Sequence, residues 1–150
     1  MENEVKEQIA LLNSAMSRVL NVYENLAKKH GLNYNSLMVL YTMYEVDVCT
    51  QKTVSQRWLI PKQTVHSILK EFEKKGYIYF EPYPNNKREK VLKLTPEGRL
   101  FADSVLEKVN YKEEKTMENL GDKTRISLVE STMAHCEEFE RIFKEEMLNE

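Results

Sequence analysis

Five polar side chains, Lys62, Gln63, His66, Ser67 and Lys70, follow a proline at helical spacing. Val65, Ile68, Leu69 and Phe72 are interleaved with them as an i, i+3, i+4, i+7 set, so a helix here would bury the apolar four and turn the polar five outward. An exposed face rich in donors and acceptors, opening at a helix N-terminus, is what reading a DNA major groove requires. Gln63 can pair bidentately with adenine, and Lys62 can reach guanine or a phosphate. Thr64, next to the helix start, suits a phosphate with help from backbone N–H groups. His66 has three readings: a base contact, a phosphate contact that strengthens on protonation, or a solvated surface residue.

A second basic group follows. Residues 82–90 (Pro-Tyr-Pro-Asn-Asn-Lys-Arg-Glu-Lys) form a turn-rich segment between two runs of strand formers, 77–80 and 91–94. Arg88 at the tip of such a hairpin would enter a minor groove, where a narrow A·T-rich stretch concentrates negative potential. Lys87 and Lys90 would hold phosphates. From Lys52 to Arg99 there are eleven lysines and arginines against five acids, a local balance of +6. The flanks therefore carry −8, although the whole chain is only −2. Such segregation suits a central segment that meets a polyanion, or else a merely solvated basic face.

The elements that must position these groups follow from periodicity. Val5, Ile9, Leu12, Met16, Val19 and Tyr23 step by three and four, predicting a long helix over residues 4–30, closed by Gly31. A second helix is expected from Tyr34 to Glu45 with Asn33 as its N-cap, and a short third from Thr50 to Leu59. The fourth starts with Pro61 in its first turn and ends at Gly76. Thr95-Pro96-Glu97 reads as cap, first-turn proline and acidic first turn of a fifth helix, ended by Gly121. The sixth, to about Leu148, carries Ile126, Val129, Met133, Cys136, Phe139, Phe143 and Met147 on one stripe. The terminal helices have more apolar surface than the small centre can cover. Pairing two copies solves this and predicts an obligate homodimer, with a monomeric bundle as the alternative.

At 150 residues the chain is one ordinary domain with enough length for a real core. Its longest apolar run, Leu37–Tyr41, is far too short to span a membrane. The acidic N-terminus shows no secretory signal, which points to the cytoplasm. Cys49 and Cys136 form no ligand pair and read as buried small residues, with a redox-sensing thiol as the lesser alternative. His135 and Glu138 share a helix face, but two ligands make no metal site, and His30 suits the end of the first helix. No nucleophile, base and orienting acid are recognisably arranged, and no glycine-rich phosphate loop or cofactor motif occurs. The reading is of a non-enzyme without a cofactor.

Ile60-Pro61-Lys62-Gln63-Thr64-Val65, the run from Phe72 to Ile78, and Asn86-Lys87-Arg88 followed by Leu92-Lys93-Leu94-Thr95-Pro96-Glu97-Gly98 together resemble the MarR family of bacterial transcriptional regulators. The family's wing Asp-x-Arg precedes a Leu-Thr-x-x-Gly helix start, and the spacing here agrees from Asn86 to Gly98. Two positions depart from the pattern. Asn86 replaces the wing aspartate, and Ser67 stands where an arginine is often found in the recognition helix.

The fold expected is mostly α with a small two-stranded β-wing. Residues 34–99 would form a winged helix-turn-helix, and residues 4–30 and 100–148 would be dimerisation helices, all in one domain. The resemblance implies a homodimer on a pseudo-palindromic double-stranded operator, usually a repressor, released by a small, often phenolic, ligand or by cysteine oxidation. It also implies an effector pocket, for which Met16, Tyr23, Tyr41 and Met43 are candidates; as ordinary core residues they need no ligand. The competing reading is a winged helix used as a protein-interaction module without specific DNA binding.

Overall fold

The computed structural model describes the backbone of residues 2–83 and 86–147. Side chains are described throughout except at Glu2, Asn86, Lys87, Arg88, Glu146 and Met147. The chain divides into two units, residues 1–106 and 107–150.

In the first unit the order is α1 (Glu2–Lys29), α2 (Tyr34–Glu45), β1 (Cys49–Thr50), α3 (Gln51–Trp58), α4 (Lys62–Lys74), β2 (Ile78–Tyr83) and β3 (Asn86–Leu94); α5 (Pro96–Met147) begins there and continues into the second unit. Each boundary has a local cause. Asn33 Oδ1 accepts the Ser36 N–H at 2.8 Å and caps α2. Thr50 and Thr53 form a reciprocal capping box at the start of α3. Thr95 Oγ1 accepts the Gly98 N–H at 2.9 Å while donating to the Gly76 carbonyl at 2.6 Å, which ties the start of α5 to the end of α4. Gly31 and Gly76 take positive φ beyond α1 and α4, where a side chain would be strained.

The core is centred on α2, whose Leu37, Met38, Val39, Leu40 and Met43 are all buried. Val54 of α3, Val65, Ile68, Leu69 and Phe72 of α4, Ile78 and Leu92 of the sheet, and Ala102, Val105 and Leu106 of α5 close around it. One buried hydroxyl is fully engaged: Thr42 Oγ1 donates to the Met38 carbonyl (2.9 Å) and accepts the Trp58 Nε1–H (2.7 Å). Tyr77 stacks on Phe101 with centroids 4.5 Å apart. Gly98 passes so close to Tyr77 that a Cβ would lie 1.8 Å from the Tyr77 carbonyl oxygen.

Four expectations need correction. The wing sheet has three strands, not two, in the order β1-β3-β2, because Cys49 and Thr50 pair antiparallel with Leu92 and Val91. Its strands also run further into the presumed loop. Pro82 pairs with Lys90, and after a register shift Tyr83 pairs with Asn86, so Arg88 has its backbone in β3. Pro82 is tolerated because β2 is an edge strand. Pro61 is the N-cap of α4, not its first helical residue. Cys49 is buried, but Cys136 is exposed.

In α5 the backbone leaves helical geometry at Gly121 (φ 71°, ψ 160°), where the sequence had placed a helix end. Beyond it Ile126, Val129, Met133, Phe139 and Phe143 are each about half exposed, as are Val5, Ile9, Met16 and Val19 of α1.

Candidate nucleic-acid interface

The helix-turn-helix consists of α3, a turn through residues 59–61, and α4. Ser55 Oγ donates to the Ile60 carbonyl (2.7 Å), and Gln51 Nε2 donates to the Lys62 carbonyl (2.9 Å). These two bonds from α3 fix where α4 begins. Ile60 is buried and acts as the anchor of the turn, whereas Leu59 is 84% exposed and adopts the left-handed conformation at φ 53°. The open end of α4 is chemically free. Its first internal backbone bond runs from the Val65 N–H to the Pro61 carbonyl, and Pro61 supplies no side-chain cap. The amides of Lys62, Gln63 and Thr64 are therefore left to meet a solvent molecule or an anion at the positive end of the helix dipole.

Lys62, Gln63, His66, Ser67 and Lys70 are all exposed on α4, as the periodicity required, and Thr64 is half-buried. Ser67 Oγ donates its proton to the Gln63 carbonyl at 3.0 Å. That hydroxyl can then only accept from a partner, so a base amino group suits it and a base carbonyl does not.

Between α4 and the wing lies a cleft of about 730 Å³ lined by Lys62, His66, Leu69, Lys70 and Glu73 of α4, Gln51 and Lys52 of α3, Phe80 of β2, and Glu89, Lys90 and Leu92 of β3. It brings together Lys62, His66, Lys70 and Lys90 from opposite ends of the basic segment. Lys90 Nζ sits 5.5 Å from the centroid of the Phe80 ring. Lys52 and Gln51 also belong to this surface and were missed as site residues. Lys52 opens the basic segment in sequence, but only the folded position of α3 reveals that it shares a cleft with Lys90.

Four of the remaining cations are engaged within the fold, while Lys74 is exposed on α4 outside the cleft. Arg57 pairs with Glu45 (2.6 Å) and lies over the Trp58 ring (5.4 Å); Lys75 pairs with Glu71 (2.6 Å). Arg99 pairs with Asp103 (3.2 Å) and lies over Tyr44, and Lys93 donates to the Asp47 carbonyl. These four serve the fold. Among the described residues, Lys52, Lys62, Lys70 and Lys74 have no carboxylate partner, and the first three of these line the cleft. The backbone of Asn86, Lys87 and Arg88 lies in β3, next to this surface in sequence, and their side chains lie outside the described residues.

The four candidates for an effector pocket are dispersed in their contacts. Met16 is half exposed on the α1 stripe, and Met43 is buried in the core. Tyr23 meets Tyr34 edge-on at 6.3 Å, and Tyr41 meets Trp58 edge-on at 6.1 Å. None of them lines the cleft beside the wing. Among the described residues no group of three or more metal-ligating side chains occurs, and no helix is long and apolar enough to cross a membrane.

Residues 30–89, which hold α2, the helix-turn-helix and much of the wing, match the MarR family model. The chain is 30% identical over 88 residues to the HTH-type transcriptional regulator SarZ of Staphylococcus haemolyticus, covering 59% of this chain and 60% of SarZ. It is 24% identical over 102 residues to the HTH-type transcriptional regulator Hpr of Bacillus licheniformis, covering 67% of this chain and 50% of Hpr. The chain thus spans less than two thirds of the length of both curated relatives. A solved structure of a MarR family regulator from Neisseria meningitidis superposes with a TM-score of 0.80 at 29% identity, over 92% of this chain and 97% of that one. With the helix-turn-helix, the three-stranded wing and the Thr95–Gly98 helix start all in place, residues 30–89 are a MarR family segment, and the chain as a whole is similar in sequence and fold to MarR family winged helix-turn-helix regulators.

Proposed function

We propose that the protein is a sequence-specific double-stranded DNA-binding regulator that works as a homodimer, with α4 in the major groove and the wing in the adjacent minor groove. The observation that carries this reading is the division of the basic segment. Its structural cations are spent on Glu45, Glu71, Asp103 and the Asp47 carbonyl, while Lys52, Lys62, Lys70 and Lys90 converge on the cleft beside the recognition helix. A protein-interaction module has no need of that convergence. Gln63 and Ser67 would face base edges, the amides at the start of α4 and Thr64 a phosphate, and Asn86, Lys87 and Arg88 the minor groove and its walls.

The dimer is supported by the half-exposed apolar stripes of α1 and of α5 beyond Gly121, which a second copy would cover. Two such copies suit a pseudo-palindromic operator. Repression, and its relief by a small ligand, extend the same reading on the family resemblance, with Met16, Tyr23, Tyr41 and Met43 the first positions to substitute.

The test is binding to duplex DNA at graded salt. A regulator of this kind binds bulk duplex at low salt with a steep salt slope and holds its operator more tightly than bulk DNA. Arg88→Ala should weaken operator binding by about 1–3 kcal/mol per half-site, mainly where flanks are A·T-rich, whereas Gln63→Ala should relax preference at one position of each half-site. Absence of duplex binding at low salt would leave the interaction-module reading in its place.

A further inference from the structure

His66 is one of the contacts in the reading above, and its placement on α4 narrows its role. Successive helix residues are about 100° apart, so the buried set Val65, Ile68, Leu69 and Phe72 defines an inner face, with Gln63, Ser67, Lys70 and Lys74 on the opposite crest. His66 lies about 70° off that crest, on the flank that also carries Lys62 and Glu73 and turns toward the wing. The crest of a recognition helix meets base edges, and its flank meets the groove wall, which is phosphate.

The surroundings agree. The charged groups that share the cleft with His66 are Lys62, Lys70 and Glu73 on its own helix, Lys52 on α3, and Glu89 and Lys90 on β3; β2 contributes the uncharged Phe80. The ring sits one helical turn from Lys62 on one side and from Lys70 on the other. Among the described residues no hydrogen bond or ion pair holds it. A neutral imidazole has one N–H donor and one lone pair, and the lone pair repels a phosphate oxygen; the imidazolium has two donors and a charge.

We infer that His66 is a proton-dependent phosphate contact, so that this protein takes up a proton on binding duplex DNA and binds more tightly as the medium acidifies. The inference rests on the DNA-binding reading and adds regulation by pH to it. In the free protein the ring shares its cleft with four ammonium groups and two carboxylates, and no anion is bound to it there. In the complex the lysines are matched by phosphates and the ring gains an anionic acceptor, which favours its charge. The bound state therefore titrates above the free state. The added affinity is complete below the free-state titration and is lost as pH rises through the bound-state one. Carboxylates titrate below this window and lysines above it.

The experiment measures affinity and salt slope by fluorescence anisotropy on a duplex of arbitrary sequence about two helical turns long, between about pH 6 and about pH 8. An arbitrary duplex suffices because a phosphate contact carries no base preference. The wild type should lose up to about tenfold in affinity per protomer across this range, the equivalent of one unit of titration shift. Its log–log salt slope should become shallower by about 0.9 per protomer as the contact disappears. His66→Gln should be flat in pH at the weak, alkaline level, and His66→Lys flat at the tight, acidic level. Because the ring is exposed, both variants should fold and dimerise as the wild type does. Wild-type binding whose affinity and slope ignore pH would overturn the inference alone, as would a pH response that survives in His66→Gln. Failure of the wild type to bind duplex at any pH would overturn the DNA-binding reading, and this inference with it.

Discussion

The segment from Tyr34 to Leu106 and the helices at the two ends of the chain solve the same problem in opposite ways. In the former, every large apolar residue at a core period finds cover within the chain: Leu37, Leu40, Leu69, Phe72 and Leu106 are essentially inaccessible. Its boundaries are locked by caps at Asn33, Thr50 and Thr95. The stripe of α1 and that of α5 beyond Gly121 are as regular in sequence, yet Ile9, Val19, Ile126, Val129 and Met133 each keep half or more of their surface open. Periodicity alone does not distinguish a stripe that closes on its own chain from one that awaits a second copy. Only the folded single chain separates the two, and the separation matches the proposed function: the part that would hold DNA closes on its own core, and the part that would set the spacing of two DNA-binding units keeps an apolar stripe open that a second copy would cover.

The most disruptive way to break this contrast is to charge the open stripe. Ile126→Glu with Met133→Glu should abolish the dimer, since each side chain forfeits about 1.5–3 kcal/mol of burial and each new carboxylate would be buried unpaired, in both copies. Sedimentation should show monomer or aggregate, and circular dichroism a loss of helix. A double variant that sediments as an intact dimer would show that this stripe is not the interface.

Next in size is a change confined to the closed unit. Gly98→Ala would set a methyl group 1.8 Å from the Tyr77 carbonyl oxygen, and backbone on both sides leaves little room to yield. Tyr77 is held by its stacking on Phe101 and by the Thr95 N–H, which donates to this same carbonyl at 3.0 Å. A loss of about 3 kcal/mol in urea unfolding is expected, at the upper end of the usual overpacking range. An unchanged midpoint would mean that α5 can shift away from the wing at little cost.

Most of the closed unit was legible because its signals are local. Val65, Ile68, Leu69 and Phe72 announce α4 by period, Asn33 and Thr95 announce caps by type, and Gly76 announces a helix end. What escaped was tertiary. Cys49–Thr50 is too short to show any alternation and is a strand only because Val91 and Leu92 lie beside it. Lys52 and Gln51 join the candidate interface because α3 packs beside α4, and nothing in their own neighbours says so. The exposure of Cys136 escaped for the reason given above, since its stripe looks identical whether covered or open. Left-handed Leu59 had no signal at all, because leucine is among the residues least suited to positive φ.

That residue allows a smaller test within the closed unit. A left-handed conformation costs a residue with a Cβ about 1–2 kcal/mol, and Leu59 recovers none of it by burial. Glycine removes the strain but adds about 0.5–1 kcal/mol of backbone entropy to the unfolded state. Leu59→Gly should therefore be neutral or stabilising by up to about 1 kcal/mol, read from urea midpoints. Clear destabilisation would show that the Leu59 side chain supports the turn despite its exposure.

The smallest effect, a difference in rate, compares the two regions through their cysteines. Cys49 is buried in β1 beside β3, and loss of solvation pushes its thiol up to about 11, with nearby Arg57 opposing only part of the rise. Near neutral pH a thiol titrating there is ionised to about one part in ten thousand, against a few per cent for an ordinary cysteine. Thiolate is the reactive form, so Cys49 should resist alkylation until the unit unfolds, and its reaction should accelerate about tenfold per pH unit up to that value. Cys136 lies on the open stripe of α5 and is exposed in the single chain. Covered by a second copy it should react slowly in concentrated protein and faster on dilution, while Cys49 should not respond to dilution at all. In Ile126→Glu/Met133→Glu, Cys136 should react at once at any concentration. Mass spectrometry of each labelled cysteine-containing peptide over time reads both rates in one sample. If Cys49 labels as fast as Cys136, the closed unit opens far more readily than its packing implies; if Cys136 labels at a rate independent of concentration in the wild type, its stripe lies outside the dimer contact.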